Sequence, residues 1–182
     1  LIYPKILDEA QKFLLKIKSF SNVRNIYLIG FSAGGHFSAM ISIHFYDLIS
    51  GTILAYPVIS SDPKIAHNFS IDQLLGSTKN FKNLVDVSLE NQTHKKLKPF
   101  FIMHTADDQV VKVENSLRFI ESLVKNQIYV EAHIYPHGAH GVSLATKEVA
   151  FEDMDKELFF KNYGYMSNWI ELAISFLKRI NI

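Results

Sequence analysis

Apolar and polar positions follow two different periods along this chain, and each change of period marks an element. After Tyr3-Pro4, the residues Ile6, Leu7, Ala10, Phe13, Leu14 and Ile17 recur with charges between them. That 3.6-residue period predicts a helix over roughly 4–19, with proline near its first position. Ser21-Asn22 breaks the pattern, and Ile26-Tyr27-Leu28-Ile29 is a continuous apolar run of the kind that marks a strand buried on both faces. Helical spacing resumes from Ala33 to about Tyr46, and "GTILAY" from Gly51 to Tyr56 predicts a second buried strand. Residues 57–97 read as irregular and polar, an insertion or cap over one face. The exception is a short helix at "SIDQLLG", where Ser70 and Gln73 have capping-box spacing and Gly76 stands at the C-cap. "FFIMH" is a third strand ending at His104, and a helix from about Val113 to Lys125 is expected to turn Leu117, Ile120 and Val124 inward. "YVEAHIY" supplies a fourth strand, and the acidic stretch from Glu152 to Glu157 reads as a solvated segment. A last helix, about 164–180, aligns Trp169, Leu172, Ala173, Phe176, Leu177 and Ile180 on one side.

Strands alternating with helices imply right-handed βαβ crossovers. The expected architecture is a three-layer α/β/α sandwich with a mostly parallel sheet of about four strands, one domain over residues 1–182. In such sheets ligands sit at the carboxyl ends of the strands. Three polar clusters, "GFSAGGH", "HTADDQ" and "PHGAHG", each follow directly after a predicted strand, so they are expected to converge on one edge of the sheet.

Composition narrows the chemistry. Apolar residues at 48% and charged residues at 20% are ordinary for a folded domain, and 19 Lys+Arg against 18 Asp+Glu, without blocks of either sign, leave no footprint for nucleic acid. A small neutral substrate suits that balance. The chain has no cysteine, which removes disulfides, thiol nucleophiles and cysteine zinc sites and favours a cytoplasmic setting. No apolar run reaches the length needed to span a bilayer, so no membrane partner is expected.

Gly30-Phe31-Ser32-Ala33-Gly34 has the G-x-S-x-G form between a predicted strand and a predicted helix, the context in which that form marks a nucleophile elbow. A side chain held at so sharp a turn crowds the positions two before and two after it, which predicts that Gly30 and Gly34 must be small. The helix N-terminus leaves free N–H groups beside the serine, and the Ala33 amide is placed to receive a developing oxyanion. Neither G-x-G-x-x-G nor Gly-Lys-Ser/Thr occurs, which excludes the common dinucleotide and phosphate loops, and no cofactor is expected. A serine needs a base, and the base an orienting acid. His140, flanked by Gly138 and Gly141, is the preferred base with His137 as the rival. The acid lies in Asp107-Asp108, where Asp108 is preferred and Asp107 is expected to brace the loop or cap the next helix. His133, His137 and His140 are closely spaced, but Pro136 and Gly138 put them on a strand end and a loop, so no metal site is expected. His36, His44, His67 and His94 read as ordinary core or surface residues.

With these motifs in hand, the chain resembles the α/β-hydrolase superfamily, and specifically the esterase/lipase branch with acetyl-xylan-esterase-like and sugar-ester hydrolases. "GFSAGGH", "HTADDQVVKVENSL" and "HGAHGVSLA" are similar to that branch's elbow, acid and histidine motifs, in the same order. The resemblance favours Asp108, four residues after the strand-end His104, and His140 in its G-x-H-G setting. It implies a serine carboxylesterase acting on short acyl esters of sugars or other small alcohols, with a serine peptidase of the same superfamily or a non-catalytic truncated relic as alternatives. It also implies a larger sheet and a second oxyanion donor from an earlier glycine-rich loop, which this chain does not contain. The expectation is therefore an N-terminally incomplete fold, with "NIYLIG" left as an edge that pairs with a second copy or a complementing N-terminal segment.

Overall fold

The computed structural model describes residues 2–181. In chain order the elements are α1 (Lys5–Lys18), β1 (Tyr27–Phe31), α2 (Ser32–His44), β2 (Gly51–Ala55), α3 (Asn68–Leu75), α4 (Phe81–Asp86), β3 (Phe100–Thr105), α5 (Glu114–Lys125), β4 (Val130–Tyr135), α6 (Lys156–Tyr163) and α7 (Trp169–Ile180). The strands form one parallel sheet in the order β1-β2-β3-β4, with Gly30 opposite Leu54, Leu54 opposite Ile102, and Ile102 opposite Ala132. Every pair is parallel, so every carboxyl end points the same way, and the three polar loops emerge together.

The pleat sorts the two inner strands between two cores. Leu54, Phe100 and Ile102 pack with Met40, Ile43, Phe119 and Leu123 on the α2/α5 face. Ile53, Ala55, Phe101 and Met103 pack with Val142, Phe159, Trp169, Ala173 and Phe176 on the α6/α7 face. Every residue of β2 and β3 is buried, which is why both read as unbroken apolar runs. The three-layer α/β/α sandwich follows.

Four details depart from the sequence pattern, each for a local reason. β1, an apolar run of the kind that marks a strand buried on both faces, is the edge strand expected of "NIYLIG", and there Ile29 is 49% exposed. α5 is rotated relative to its hydrophobic period: Phe119 and Leu123 face the sheet, while Leu117 and Val124 face outward. Polar anchors set that rotation. The Asn115 amide oxygen accepts from the backbone amides of Ile59 and Ser60, both at 2.9 Å, and Ser116 is buried against His104. Third, the helix near Ser70 starts earlier, at Asn68, and Ser70 bonds the His67 ring at 2.8 Å instead of forming a capping box; Gly76 does close it, at φ +47°. Fourth, residues 57–97 are more regular than their polarity suggests. They contain α3 and α4, and their Val58, Ile59, Ile71, Leu75, Val87 and Leu89 enter the α2/α5-face core.

Candidate active site

β1 passes into α2 with no intervening residue, and Ser32 makes the turn at φ +52°. A left-handed backbone at a non-glycine residue costs roughly 1–3 kcal/mol, so the surrounding contacts must hold it there. Gly30 is one of them: a Cβ at this position would lie 2.3 Å from the Gly34 carbonyl oxygen and 2.5 Å from Ser38 Oγ. The equivalent crowding expected at Gly34 is not there. A Cβ at Gly34 meets nothing within 4 Å, because that side of the elbow opens into a groove, and the crowded position is Gly35, 2.7 Å from Pro57 Cβ. As the second residue of α2, Ala33 has an amide with no partner inside the helix. Ala33 and Gly34 border that groove, of about 390 Å³, together with His36, Phe37, Phe69 and Leu74.

The histidine arrives on the loop after β4. Gly138 passes so close to β3 that a Cβ would sit 2.5 Å from Thr105 Cγ2, and Thr105 Oγ1 donates to the Gly138 carbonyl at 2.8 Å. The Gly138 amide donates to Asp107 Oδ1 at 2.8 Å, and His137 Nδ1 lies 3.2 Å from Asp107 Oδ2. Asp107 thus braces the loop, as expected, and the Gly138 amide, followed by His137, holds its carboxyl below the ordinary range. His137, the rival base, is 80% exposed and has Asp107 as its partner. His140 instead places Nε2 2.8 Å from Ser32 Oγ and Nδ1 2.7 Å from Asp108 Oδ2. Ser32, His140 and Asp108 therefore form one hydrogen-bonded chain across the carboxyl ends of β1, β3 and β4. His133 pairs with Glu131 at 3.0 Å, so the three closely spaced histidines each face a different carboxylate.

Asp108 is sealed at the end of β3, its side chain fully buried. Burial alone would raise its pKa. Hydrogen bonds from His104 and His140 and from the amides of Val111 and Val110 outweigh that effect and hold the carboxyl well below the usual carboxylate range. The two amides donate to Oδ1 at 3.0 and 2.9 Å, leaving Oδ2 to the imidazoles. The acid therefore stays ionised throughout the ordinary carboxylate range.

Two further residues shape the site. Tyr56, the residue after β2, sits at φ +38° with its ring edge-on to His140, centroids 5.0 Å apart. Its hydroxyl accepts from the Ser143 amide at 3.1 Å, and the Ser143 carbonyl accepts from Trp169 Nε1 at 3.0 Å, which ties the histidine loop to α7. Burial pushes the Tyr56 phenol up to about 12, so it stays neutral. His104, buried at the end of β3, reaches Asp108 from behind. Sequence reasoning assigned neither a role, although both stand at strand carboxyl ends, where the topology concentrates function.

A family model described as the prolyl oligopeptidase family matches residues 8–166. The chain belongs to the prolyl oligopeptidase family. Within the curated relatives of this family member, endo-1,4-beta-xylanase B of Butyrivibrio fibrisolvens is 34% identical over 157 residues, which is 78% of this chain and 25% of that protein. Acetylxylan esterase of Xylanibacter ruminicola is 33% identical over 131 residues, 69% of this chain and 27% of that protein. Among solved structures, an acetyl ester-xyloside bifunctional hydrolase from Caldicellulosiruptor lactoaceticus superposes with a TM-score of 0.83 at 30% identity, over 100% of this chain and 68% of that one. The fold is that of an α/β-hydrolase, and the chain spans about a quarter of the length of the curated relatives it matches. Among the described residues, no helix is long and apolar enough to cross a membrane.

Proposed function

We propose that this member of the prolyl oligopeptidase family is built as a serine esterase for short acyl esters of sugars. Ser32 Oγ attacks the ester carbonyl while His140 Nε2 takes its proton; the resulting tetrahedral oxyanion lies against the Ala33 amide. His140 returns the proton to the leaving alcohol, and water then releases the acyl group from Ser32 by the reverse sequence. Asp108 fixes the tautomer that leaves His140 Nε2 free and stabilises the imidazolium. The observation that carries this reading is the unbroken chain of 2.8 and 2.7 Å contacts from Ser32 through His140 to Asp108. The sugar-ester substrate class is supported by the relatives, whose names include an acetylxylan esterase and an acetyl ester-xyloside hydrolase. The groove beside Ala33 and Gly34 is the space we assign to the substrate.

The β1 edge belongs to the same proposal. Among the described residues nothing pairs with the outer side of β1, and a groove of about 560 Å³ between it and α1 is lined by Phe13, Leu14, Ile26, Leu28 and Phe37. We assign this edge to a complementing N-terminal hydrolase segment, which would also bring a second oxyanion donor. A similarly folded hydrolase, of whose length this chain accounts for 68%, supports that assignment. Light scattering tests the assignment: a stable homodimer, or a well-behaved monomer with full activity, would contradict it.

Peptide hydrolysis is the second reading, favoured by the family match itself. Rates on p-nitrophenyl acetate and on a dipeptide anilide separate the two. The esterase reading predicts turnover of the acetate that is lost in Ser32→Ala, with no detectable anilide cleavage; the reverse preference would overturn it.

A further inference from the structure

Asp108 Oδ2 serves two histidines, and only one of them is part of the proposed reaction. His140 donates from Nδ1 at 2.7 Å, and its other nitrogen faces the hydroxyl of Ser32. His104 approaches the same oxygen with Nε2 at 3.4 Å, and its other nitrogen, Nδ1, faces the hydroxyl of Ser116 at 2.7 Å. Two serine–histidine pairs therefore share one carboxylate oxygen. Their surroundings differ: His140 is partly open to solvent, whereas His104 and Ser116 are fully buried and no substrate can reach them.

The tautomer of His104 follows from its partners. Nε2 lies 2.9 Å from the Val111 carbonyl, which can only accept, and beside the Asp108 carboxylate, which is ionised and can also only accept. Nε2 must carry the proton, and in the neutral ring Nδ1 accepts from Ser116 Oγ. The Nε2–H is hydrogen-bonded to the Val111 carbonyl, and its positive end lies beside the carboxylate, with Nε2 3.4 Å from Asp108 Oδ2. An N–H dipole this close to Asp108 Oδ2 draws charge away from the lone pair that His140 uses.

We infer that His104 is a positioning residue: with Ser116 behind it, it fixes Asp108 and lowers the strength with which the carboxylate holds the His140 proton. The inference rests on the proposed Ser32–His140–Asp108 assignment. The other titratable groups around this network are Tyr56, edge-on to His140 from the end of β2, and the Asp107–His137 pair in the neighbouring loops. Among the described residues, none of them forms a hydrogen bond or ion pair with His104.

The test compares the unmodified protein with His104→Leu, which removes the donor, and His104→Gln, whose amide N–H can take the place of Nε2–H. Two readouts are used: the low-field proton resonance of the Asp108–His140 hydrogen bond, and the pH profile of kcat/KM on p-nitrophenyl acetate. In His104→Leu the resonance should move further downfield, and the acidic limb should shift to higher pH by about half to one unit with KM unchanged. His104→Gln should return both toward the unmodified values. Ser116→Ala, which keeps the imidazole, should produce a smaller displacement in the same direction, and it decides the matter if His104→Leu does not fold. Folded variants with an unmoved resonance and an unmoved limb would overturn the inference, as would a glutamine variant no better than leucine. If the unmodified chain hydrolyses no ester, the esterase reading fails, and the resonance still decides the role of His104.

Discussion

The two sides of the site are built differently. On the acid–histidine side, each group is held from several directions: Asp108 by two amides and two imidazoles, His140 by Asp108 and the edge of the Tyr56 ring, and its loop by Thr105, Asp107 and Trp169 through Ser143. These residues rest on β2 and β3, whose side chains are buried throughout. On the nucleophile side, Ser32 stands at the end of an edge strand with Ile29 half exposed, and the space beside Gly34 is empty. The difference separates a base and acid fixed from several directions from a serine that stands on the edge strand, beside the groove bordered by Ala33 and Gly34.

The largest expected effect is on the crowded side. Asp108→Asn should reduce kcat on p-nitrophenyl acetate by about 10³ to 10⁴, because the amide can favour the wrong His140 tautomer. Asp107→Asn, which leaves that bond intact, should stay within a fewfold range. Comparable losses in both would erase the distinction between the two aspartates.

Acid should affect the two sides at different pH. On α2, burial lowers the pKa of His36 from 6.5 to about 4, against the opposing effect of its hydrogen bond to the Val87 carbonyl. A depressed pKa means that the folded state prefers the neutral ring. Its contribution, on the order of 3 kcal/mol, is complete above pH 6.5 and is lost as pH falls toward 4. Asp108 is depressed too, but from a lower starting point of 3.8, so its contribution begins to fade only below that pH. Urea midpoints measured from pH 7 to pH 4 should therefore decline in the unmodified protein and flatten in His36→Gln.

The elbow glycines give a smaller and more local contrast. Gly30→Ala and Gly35→Ala force a Cβ against backbone or proline and should each cost about 1–3 kcal/mol in urea unfolding. Gly34→Ala enters open space within a helix and should be neutral, or stabilising by up to about 1 kcal/mol. Equal costs at all three positions would mean that the groove beside Gly34 is filled.

Tyr56→Phe keeps the ring against His140 and removes only the hydroxyl that accepts from Ser143. Stability should fall by about 1–3 kcal/mol, with a loss in kcat of only a few fold.

Much of this was legible in the sequence. The four strands, the parallel order and the convergence of three polar loops follow from apolar runs and the helices between them, because buried strands and one-faced helices leave those patterns directly. The meeting of Ser32 and His140 was readable from glycines beside them in loops after strands, whereas the choice of Asp108 over Asp107 came from the resemblance of the motif and not from a backbone signal. The rotation of α5 was not readable, since buried Asn115 and Ser116 set it and a hydrophobic period counts such residues as surface. His104 was visible only as a landmark for the acid. Its contact with Asp108 depends on how the loop after β3 folds back, and residue types do not report that.

The most direct test of the central claim is fluorophosphonate labelling followed by intact-mass measurement and peptide mapping. The account predicts one adduct per chain, on Ser32, greatly slowed in Asp108→Asn. Failure to label Ser32, or labelling that proceeds equally fast without Asp108, would contradict it.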